Sequence, residues 1–146
     1  MENQITIGPP NSGHRLQITG LLQSVGLPVD DLPPDLSLFF IASDNGVIIG
    51  SIGLELYENY GLLRSLAVKP EYRKMKIAAS LISQVENLAG SLGIKEIYLL
   101  TETAQGYFSK DGYVVSDRSV APASLRQSSE FSHVCLSTAI FMKKVL

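Results

Sequence analysis

Residues 66–92 read LAVKPEYRKMKIAASLISQVENLAGSL, and the order of signals in this stretch decides the fold class. Leu66-Ala67-Val68 is a short apolar run with a β-branched end, and Lys69-Pro70 turns the chain after it. A basic loop follows, Arg73-Lys74-Met75-Lys76. From Ile77 onward, apolar residues at Ile77, Leu81, Val85, Leu88 and Leu92 recur at helical spacing and make one face. Strand, basic loop and helix start, in that order, aim backbone N–H groups and the positive end of a helix dipole at one place. Cationic side chains stand beside it. Such a place suits a diphosphate or a similar anion. A solvated loop ahead of an amphipathic helix accounts for the same letters, because a basic loop alone is a weak motif.

The flanks extend this into an alternating α/β pattern. Upstream, Gln4–Ile7 is a short strand closed by Gly8-Pro9-Pro10, and Asn11 or Ser12 is suited to cap a helix reaching about Val25. That helix takes Leu16, Ile18, Leu21, Leu22 and Val25 as its apolar side, and Gly26-Leu27-Pro28 stops it. His14, near its first turn, reads as an exposed polar residue without a role. After an acidic, proline-rich loop over Val29–Asp35, a strand at Leu38–Ala42 meets the Asp44-Asn45-Gly46 turn. Val47–Tyr57 returns, and Glu58–Gly61 turns the chain into Leu62–Val68, three adjacent antiparallel strands in all. Downstream, Gly93 ends the long helix and Lys95–Leu100 is a buried strand. Because it follows a strand–helix crossover, it should lie parallel to Leu62–Val68. A short helix (Thr103–Lys110), a strand (Tyr113–Ser116), a polar segment with a helical piece near Pro122–Gln127, and a last strand (Leu136–Val145) complete the chain. Residues 1–146 read as a single α/β domain with a mixed central sheet, without repeats or linkers.

Composition narrows the function classes. The chain has 146 residues, with 14 acidic and 12 basic side chains for a net charge of −2. Without a basic stripe a general nucleic-acid role is not expected. No apolar run is long enough for a bilayer, and the N-terminus lacks the charged start and apolar middle of a secretion signal, so no membrane partner is expected. One cysteine, Cys135, excludes an internal disulfide and suits a reducing cytoplasm. With only His14 and His133 beside it, no metal-ligand cluster stands out, and no third group makes a triad of His133 and Cys135.

The run Val68-x-Pro70-x-Tyr72-Arg73, followed by a helix, resembles the acyl-CoA-binding core of the GNAT superfamily of N-acetyltransferases. In that superfamily an R/Q-x-x-G-x-G/A loop wraps the CoA pyrophosphate. Here Arg73 and Ala78 match, and Lys76 occupies the first glycine position. A Cβ there costs about 1–2 kcal/mol if φ must be positive, and the lysine charge offsets part of that. The second half is similar too: Thr101 to Phe108, then Lys110-Asp111-Gly112-Tyr113, resembles N-x-x-A-x-x-x-Y-x-x-x-G-F/Y. Gly26-Leu27-Pro28 with Asp31-Leu32, Gly53-Leu54-Glu55, Leu62–Leu66, Leu99–Ala104 and Glu130-Phe131-Ser132 together resemble a branch known as arsenic-resistance-associated N-acetyltransferases.

The resemblance implies a GNAT fold with a splayed strand pair flanked by helices, acetyl-CoA as cofactor, and direct acetyl transfer to a small-molecule amine. The cofactor would lie against Leu66, Ala67 and Val68, the loop residues Arg73, Lys74, Met75, Lys76, Ile77, Ala78 and Ala79, and the later Thr101, Tyr107 and Phe108. A backbone N–H near Val68 would donate to the acetyl oxygen as it gains charge. Ordinary core packing explains the apolar strand residues equally well, since those contacts use side chains and the proposed ones use backbone.

Acid and base are less complete. The superfamily often protonates the leaving thiolate with a tyrosine four residues before the glycine, and this chain has Phe108 there. Tyr107 points about 100° away on a helix, so it is no simple substitute. A thiol with pKa ~8.5 is already a fair leaving group. Glu55 is the first candidate base and Glu102 the second; a solvated, edge-facing Glu55 is the plain alternative. Arg64, where relatives often carry glutamate, suits bidentate contact with an acceptor carboxylate or a similar oxyanion. A salt bridge to Glu55 or Glu102 would explain it as well. Arg118, Ser65 and Ser132 complete a candidate substrate-binding set. The expectation is an N-acetyltransferase for a small anionic, amino-acid-like amine. The alternative is a non-catalytic acyl-CoA-binding or regulatory module, motivated by Lys76 and Phe108. Many relatives dimerise, often by pairing late strands such as Leu136–Val145, so a homodimer belongs to the expectation.

Overall fold

The computed structural model describes residues 4–27, 29, 32–73, 75–101, 104–123 and 139–146. Lys74, Glu102 and Ser132 lie outside them, as do His133, Cys135 and the expected strand start at Leu136. Strands β1 (Ile5–Gly8), β2 (Phe39–Asp44), β3 (Val47–Tyr57), β4 (Tyr60–Val68), β5 (Glu96–Thr101), β6 (Val114–Val115) and β7 (Ile140–Val145) form one mixed sheet. Helices α1 (Arg15–Ser24), α2 (Ile77–Ser91) and α3 (Gln105–Lys110) flank it. The sheet order is β1-β2-β3-β4-β5-β7-β6. Pairing is antiparallel except between β4 and β5, as the crossover through α2 requires.

The core is divided by the sheet. On one face α2 lays Ile77, Leu81, Ile82, Val85 and Ala89 on residues such as Ile52, Leu54, Leu63, Ile97 and Leu99. On the other, α1 packs Ile18, Leu21 and Leu22 on Phe39, Ile41, Ile48 and Ala67. Farther along that second face, Leu62, Tyr98, Ala121 and Phe141 form a smaller cluster. Gly93 closes α2 with φ +78, and Ile94 N–H reaches back to Ala89 O at 2.9 Å.

Several expected boundaries move for local reasons. Asn11 caps a 3-10 turn, Ser12–His14, rather than α1 itself, and α1 begins at Arg15. His14 has a structural job: its Nδ1 accepts from Asn11 N–H at 3.0 Å, completing a capping box. Leu16 is 85% exposed instead of buried. The stripe Ile18, Leu21, Leu22, Val25 runs at i, i+3, i+4, i+7, and Leu16 lies about 200° around the helix from Ile18. Strand β4 starts at Tyr60, because Glu58, at φ +58, and Asn59 suffice as a two-residue turn pairing Tyr57 with Tyr60. Strand β2 runs on from Phe39 to Asp44, which pairs with Val47 across Asn45-Gly46.

Candidate active site

The site is built on the failure of two strands to stay together. Among the described residues, β4 and β5 pair only at Tyr60–Leu62 with Glu96–Tyr98. Beyond that point β5 continues with β7 as far as Thr101, and β4 continues with β3 as far as Val68. A wedge therefore opens between Leu63–Val68 and Leu99–Thr101. Lys69 N–H donates to Ile49 O at 2.9 Å across β3. Strand alternation then turns the backbone N–H of Val68, and that of Leu66 before it, away from β3 and into the wedge. Leu66 is half-buried, while Ala67 and Val68 are buried.

The register explains the opening. Ser51 lies opposite Ala67 and Gly53 opposite Arg64, so two residues of β4, Ser65 and Leu66, face the single Ile52. This is a β-bulge, which bends its strand and increases local twist. Ser65 adopts φ +58 within it. Gly53, across from Arg64, is needed as glycine: a Cβ there would come within 2.5 Å of the Phe39 ring.

At the mouth of the wedge the chain passes through Pro70–Tyr72, a 3-10 turn, into the basic loop. Arg73 Nε donates to Val68 O at 3.2 Å, tying the loop to the end of β4. Tyr72 Oη bonds Asp44 Oδ2 at 2.6 Å, and that bond raises the phenol pKa. Lys76 precedes α2 with φ 60 and ψ 23, so the position that resembles a glycine does require the left-handed conformation. Its side chain is exposed and makes no capping bond. Ser80 N–H accepts the role of first intrahelical donor, to Lys76 O at 3.2 Å, which leaves the N–H groups of Ile77, Ala78 and Ala79 ahead of it at the positive end of a 15-residue helix. Met75 is exposed beside them. These features fit a CoA-type diphosphate, and Lys76 meets the conformational demand despite its Cβ.

The β3–β4 side of the wedge carries a polar, buried pair. Arg64 is only 2% exposed, and its Nη1 lies 2.7 Å from Glu55 Oε1. Tyr57 Oη donates to Glu55 Oε2 at 2.5 Å, and Arg64 Nε donates to Ser65 Oγ at 3.1 Å. The salt-bridge account of Arg64 thus has its partner. The pair is asymmetric: the Arg64 side chain is 1% exposed and that of Glu55 17%, so only the carboxylate reaches the surface. Arg118, at the start of a 3-10 turn, donates from Nη2 to Ala139 O at 2.5 Å, joining that turn to the approach of β7.

Thr101 ends β5, and its Oγ1 accepts from Ala104 N–H at 3.0 Å, setting up α3. Phe108 on α3 is buried edge-on against Tyr113, with ring centroids 5.4 Å apart, so its place is in the core. Tyr107 is 41% exposed, and partial burial, with Asp111 nearby, raises its pKa and keeps the phenol protonated. Ser51, absent from the sequence-derived set, is fully buried and donates to Ser65 O at 2.8 Å. Its signal was a polar residue in the apolar run Gly50-Ser51-Ile52-Gly53. Among the described residues no group of three His, Cys, Asp or Glu is placed to hold a metal, and no helix is long and apolar enough to cross a membrane.

A splayed parallel pair behind a helix N-terminus defines an acyl-CoA-binding α/β class, and the comparisons agree. The family model of the acetyltransferase (GNAT) family matches residues 19–113, and the chain belongs to that family. An uncharacterised N-acetyltransferase of Chlorobaculum tepidum is 28% identical over 95 residues, 64% of this chain and 61% of that protein. An amino-acid acetyltransferase of Mannheimia succiniciproducens is 29% identical over 102 residues, 68% of this chain but 23% of the relative. The chain thus spans less than two thirds of either relative's length. Among solved structures, N-acetylglutamate synthase of Neisseria gonorrhoeae, complexed with coenzyme A and L-arginine, superposes with a TM-score of 0.83 at 19% identity, over 99% of this chain and 34% of that one.

Proposed function

We propose that the chain is an acetyl-CoA-dependent N-acetyltransferase that acetylates the amine of a small, anionic, amino-acid-like molecule by direct attack. The wedge between β4 and β5, closed at its mouth by the start of α2, carries this reading. Family membership and the amino-acid acetyltransferase relatives support it. The cofactor, when bound, supplies an acetyl group already activated as a thioester. The N–H groups of Ile77, Ala78 and Ala79 would hold its diphosphate, and the loop residues Arg73, Lys74, Met75 and Lys76 complete the proposed set. Leu66, Ala67, Thr101 and Tyr107 would line its arm, with Phe108 in the core behind them, and Val68 N–H would donate to the acetyl oxygen.

Glu55 receives the amine proton on its solvent-facing side, with Glu102 as the second candidate. Deprotonating an α-amino group (pKa ~7.8) at pH 7 costs about 1 kcal/mol, against about 4.6 kcal/mol for a lysine-type amine (pKa ~10.4). A carboxylate whose two oxygens already accept hydrogen bonds suits the easier acceptor. Arg64 places a positive charge beneath the acceptor, and Ser65, Arg118 and Ser132 belong to the same substrate set. The resemblance to the arsenic-resistance-associated branch adds phosphinic and arsenic analogues of amino acids to the acceptor class. The single cysteine supports a cytoplasmic location, and pairing through late strands would make a homodimer.

Screening amino acids and these analogues for acetyl-CoA-dependent release of CoA tests the reading. Turnover of an α-amino acid is expected. Binding of acetyl-CoA without turnover of any amine would favour a non-catalytic acyl-CoA-binding module, for which the buried Phe108 at the acid position is the supporting observation.

A further inference from the structure

Two polar residues are fully buried among the described ones, Ser51 and Arg64, and both bond Ser65. Ser51 Oγ donates to Ser65 O at 2.8 Å from the neighbouring strand; Arg64 Nε donates to Ser65 Oγ at 3.1 Å. Ser65 is itself a left-handed residue, φ +58, in the middle of a nine-residue strand. A residue with a Cβ adopts that conformation only where its surroundings hold it there. We propose that Ser51 is a positioning residue for acetyl transfer: by clamping the Ser65 carbonyl it maintains the bulge that faces the Leu66 and Val68 N–H groups into the wedge. The inference deepens the proposed function and rests on it for its catalytic consequence.

The physical reason lies in register. Upstream of the bulge Gly53 opposes Arg64, and downstream Ser51 opposes Ala67. Absorbing the extra residue would slide one half of β4 by a single position. That slip exchanges the two faces and the two edges of every residue beyond it. The backbone of Leu66 and Val68 would then turn toward β3 and that of Ala67 toward the wedge. Ser51 resists this at a site where water has no access, since the residue is 0% exposed. Without its hydroxyl the Ser65 carbonyl loses a partner in a buried setting, which penalises the bulged register specifically.

The test compares the wild type with Ser51→Ala and Ser51→Thr. Kinetics would use acetyl-CoA and an acceptor from the amino-acid screen; backbone amide NMR of Leu66 and Val68 supplies a readout independent of activity. Ser51→Ala should lower kcat about tenfold, the effect of one lost hydrogen bond to a buried carbonyl, and shift both amide resonances. Ser51→Thr keeps the hydroxyl and should restore both. A purely structural serine would lower the melting temperature and leave kcat and the amides alone; that result overturns the proposal. So does a Ser51→Thr variant that returns both amides to their wild-type positions yet keeps the lowered kcat of Ser51→Ala. If the wild type neither binds acetyl-CoA nor turns over, the functional reading fails, and the amide shifts alone then decide the clamp.

Discussion

Two non-glycine residues in the left-handed conformation bracket the wedge, and they are held in opposite ways. Ser65 sits inside β4, half-buried, with its carbonyl and hydroxyl both bonded by buried side chains. Lys76 sits at the head of α2, exposed, with no side-chain cap bond. The same backbone conformation is thus fixed by the fold in one place and carried at a cost in the other. Protein contacts explain the first. Protein contacts do not explain the second; the proposed cofactor site does, because a cation beside the N–H groups of Ile77–Ala79 would act on an anion bound there. The difference separates what the chain needs to fold from what it needs to bind.

Breaking the support of Ser65 should have the largest effect. Arg64→Met removes a buried guanidinium, leaves Glu55 without its ion-pair partner and deprives Ser65 Oγ of a donor. A loss of about 3 kcal/mol in a denaturant titration is expected. In whatever fraction folds, KM for an anionic acceptor should rise far more than KM for acetyl-CoA. Unchanged kinetics would remove Arg64 from the acceptor side. Glu55→Gln keeps hydrogen-bonding atoms near Arg64 and Tyr57 but removes the charge. It should cost about 10²-fold in kcat with acetyl-CoA affinity intact; equal losses in both would argue against a base.

Lys76 offers the reverse experiment. Lys76→Gly relieves the left-handed conformation and should stabilise the unliganded chain by about 1 kcal/mol. The same change should weaken acetyl-CoA binding severalfold, the deficit shrinking as salt is raised. Lys76→Ala keeps the backbone cost and loses the charge, so it should weaken binding without stabilising. If glycine both stabilises and tightens binding, the lysine contributes nothing to the cofactor.

The smallest expected effect comes from farther along α2, away from its start, and serves as a control. There Lys144 Nζ lies 3.1 Å from Glu86 Oε2 and 3.5 Å from Asp111 Oδ2, joining α2, the end of α3 and β7, with Tyr113 packed beneath. Two carboxylates share one ammonium. Burial, and then Asp111, raise the Glu86 pKa above its ordinary 4.5, while Lys144 works against them. Since the folded state prefers protonated Glu86, its contribution to stability is complete below pH 4.5 and is lost as pH rises through the raised value. Glu86→Gln should therefore flatten the fall in melting temperature across that window and leave acetyl-CoA affinity unchanged. An altered affinity would mean that this cluster is coupled to the start of α2.

Much of this was legible in the letters. The α2 stripe, Asn45-Gly46, Gly93 and the crossover to a parallel β5 are local signals, and each was read from residues within a few positions. The basic loop placed the helix N-terminus correctly, and Lys76 at a glycine position flagged a conformational cost that φ 60 bears out. What stayed hidden depends on pairing between distant residues. Nothing in Arg64-Ser65-Leu66 announces a bulge, because the extra residue exists only relative to Ile52 on β3. The role of Ser51 is hidden for the same reason: its acceptor is 14 residues away. At Leu16 and at the start of β4 the expectation fails because two periodicities or two turn lengths fit the same letters. The Arg64–Glu55 ion pair was one of two accounts of an arginine between leucines, and burial decides that the pair exists.

The central claim is that the wedge and the start of α2 form an acetyl-CoA site. Titrating the wild-type chain with acetyl-CoA in a calorimeter, alongside the Lys76→Gly variant, tests it most directly. The account predicts saturable one-to-one binding, weaker in the variant, with a fold stabilisation of about 2.7 kcal/mol at 100 times Kd. No heat and no stabilisation at millimolar acetyl-CoA would contradict it.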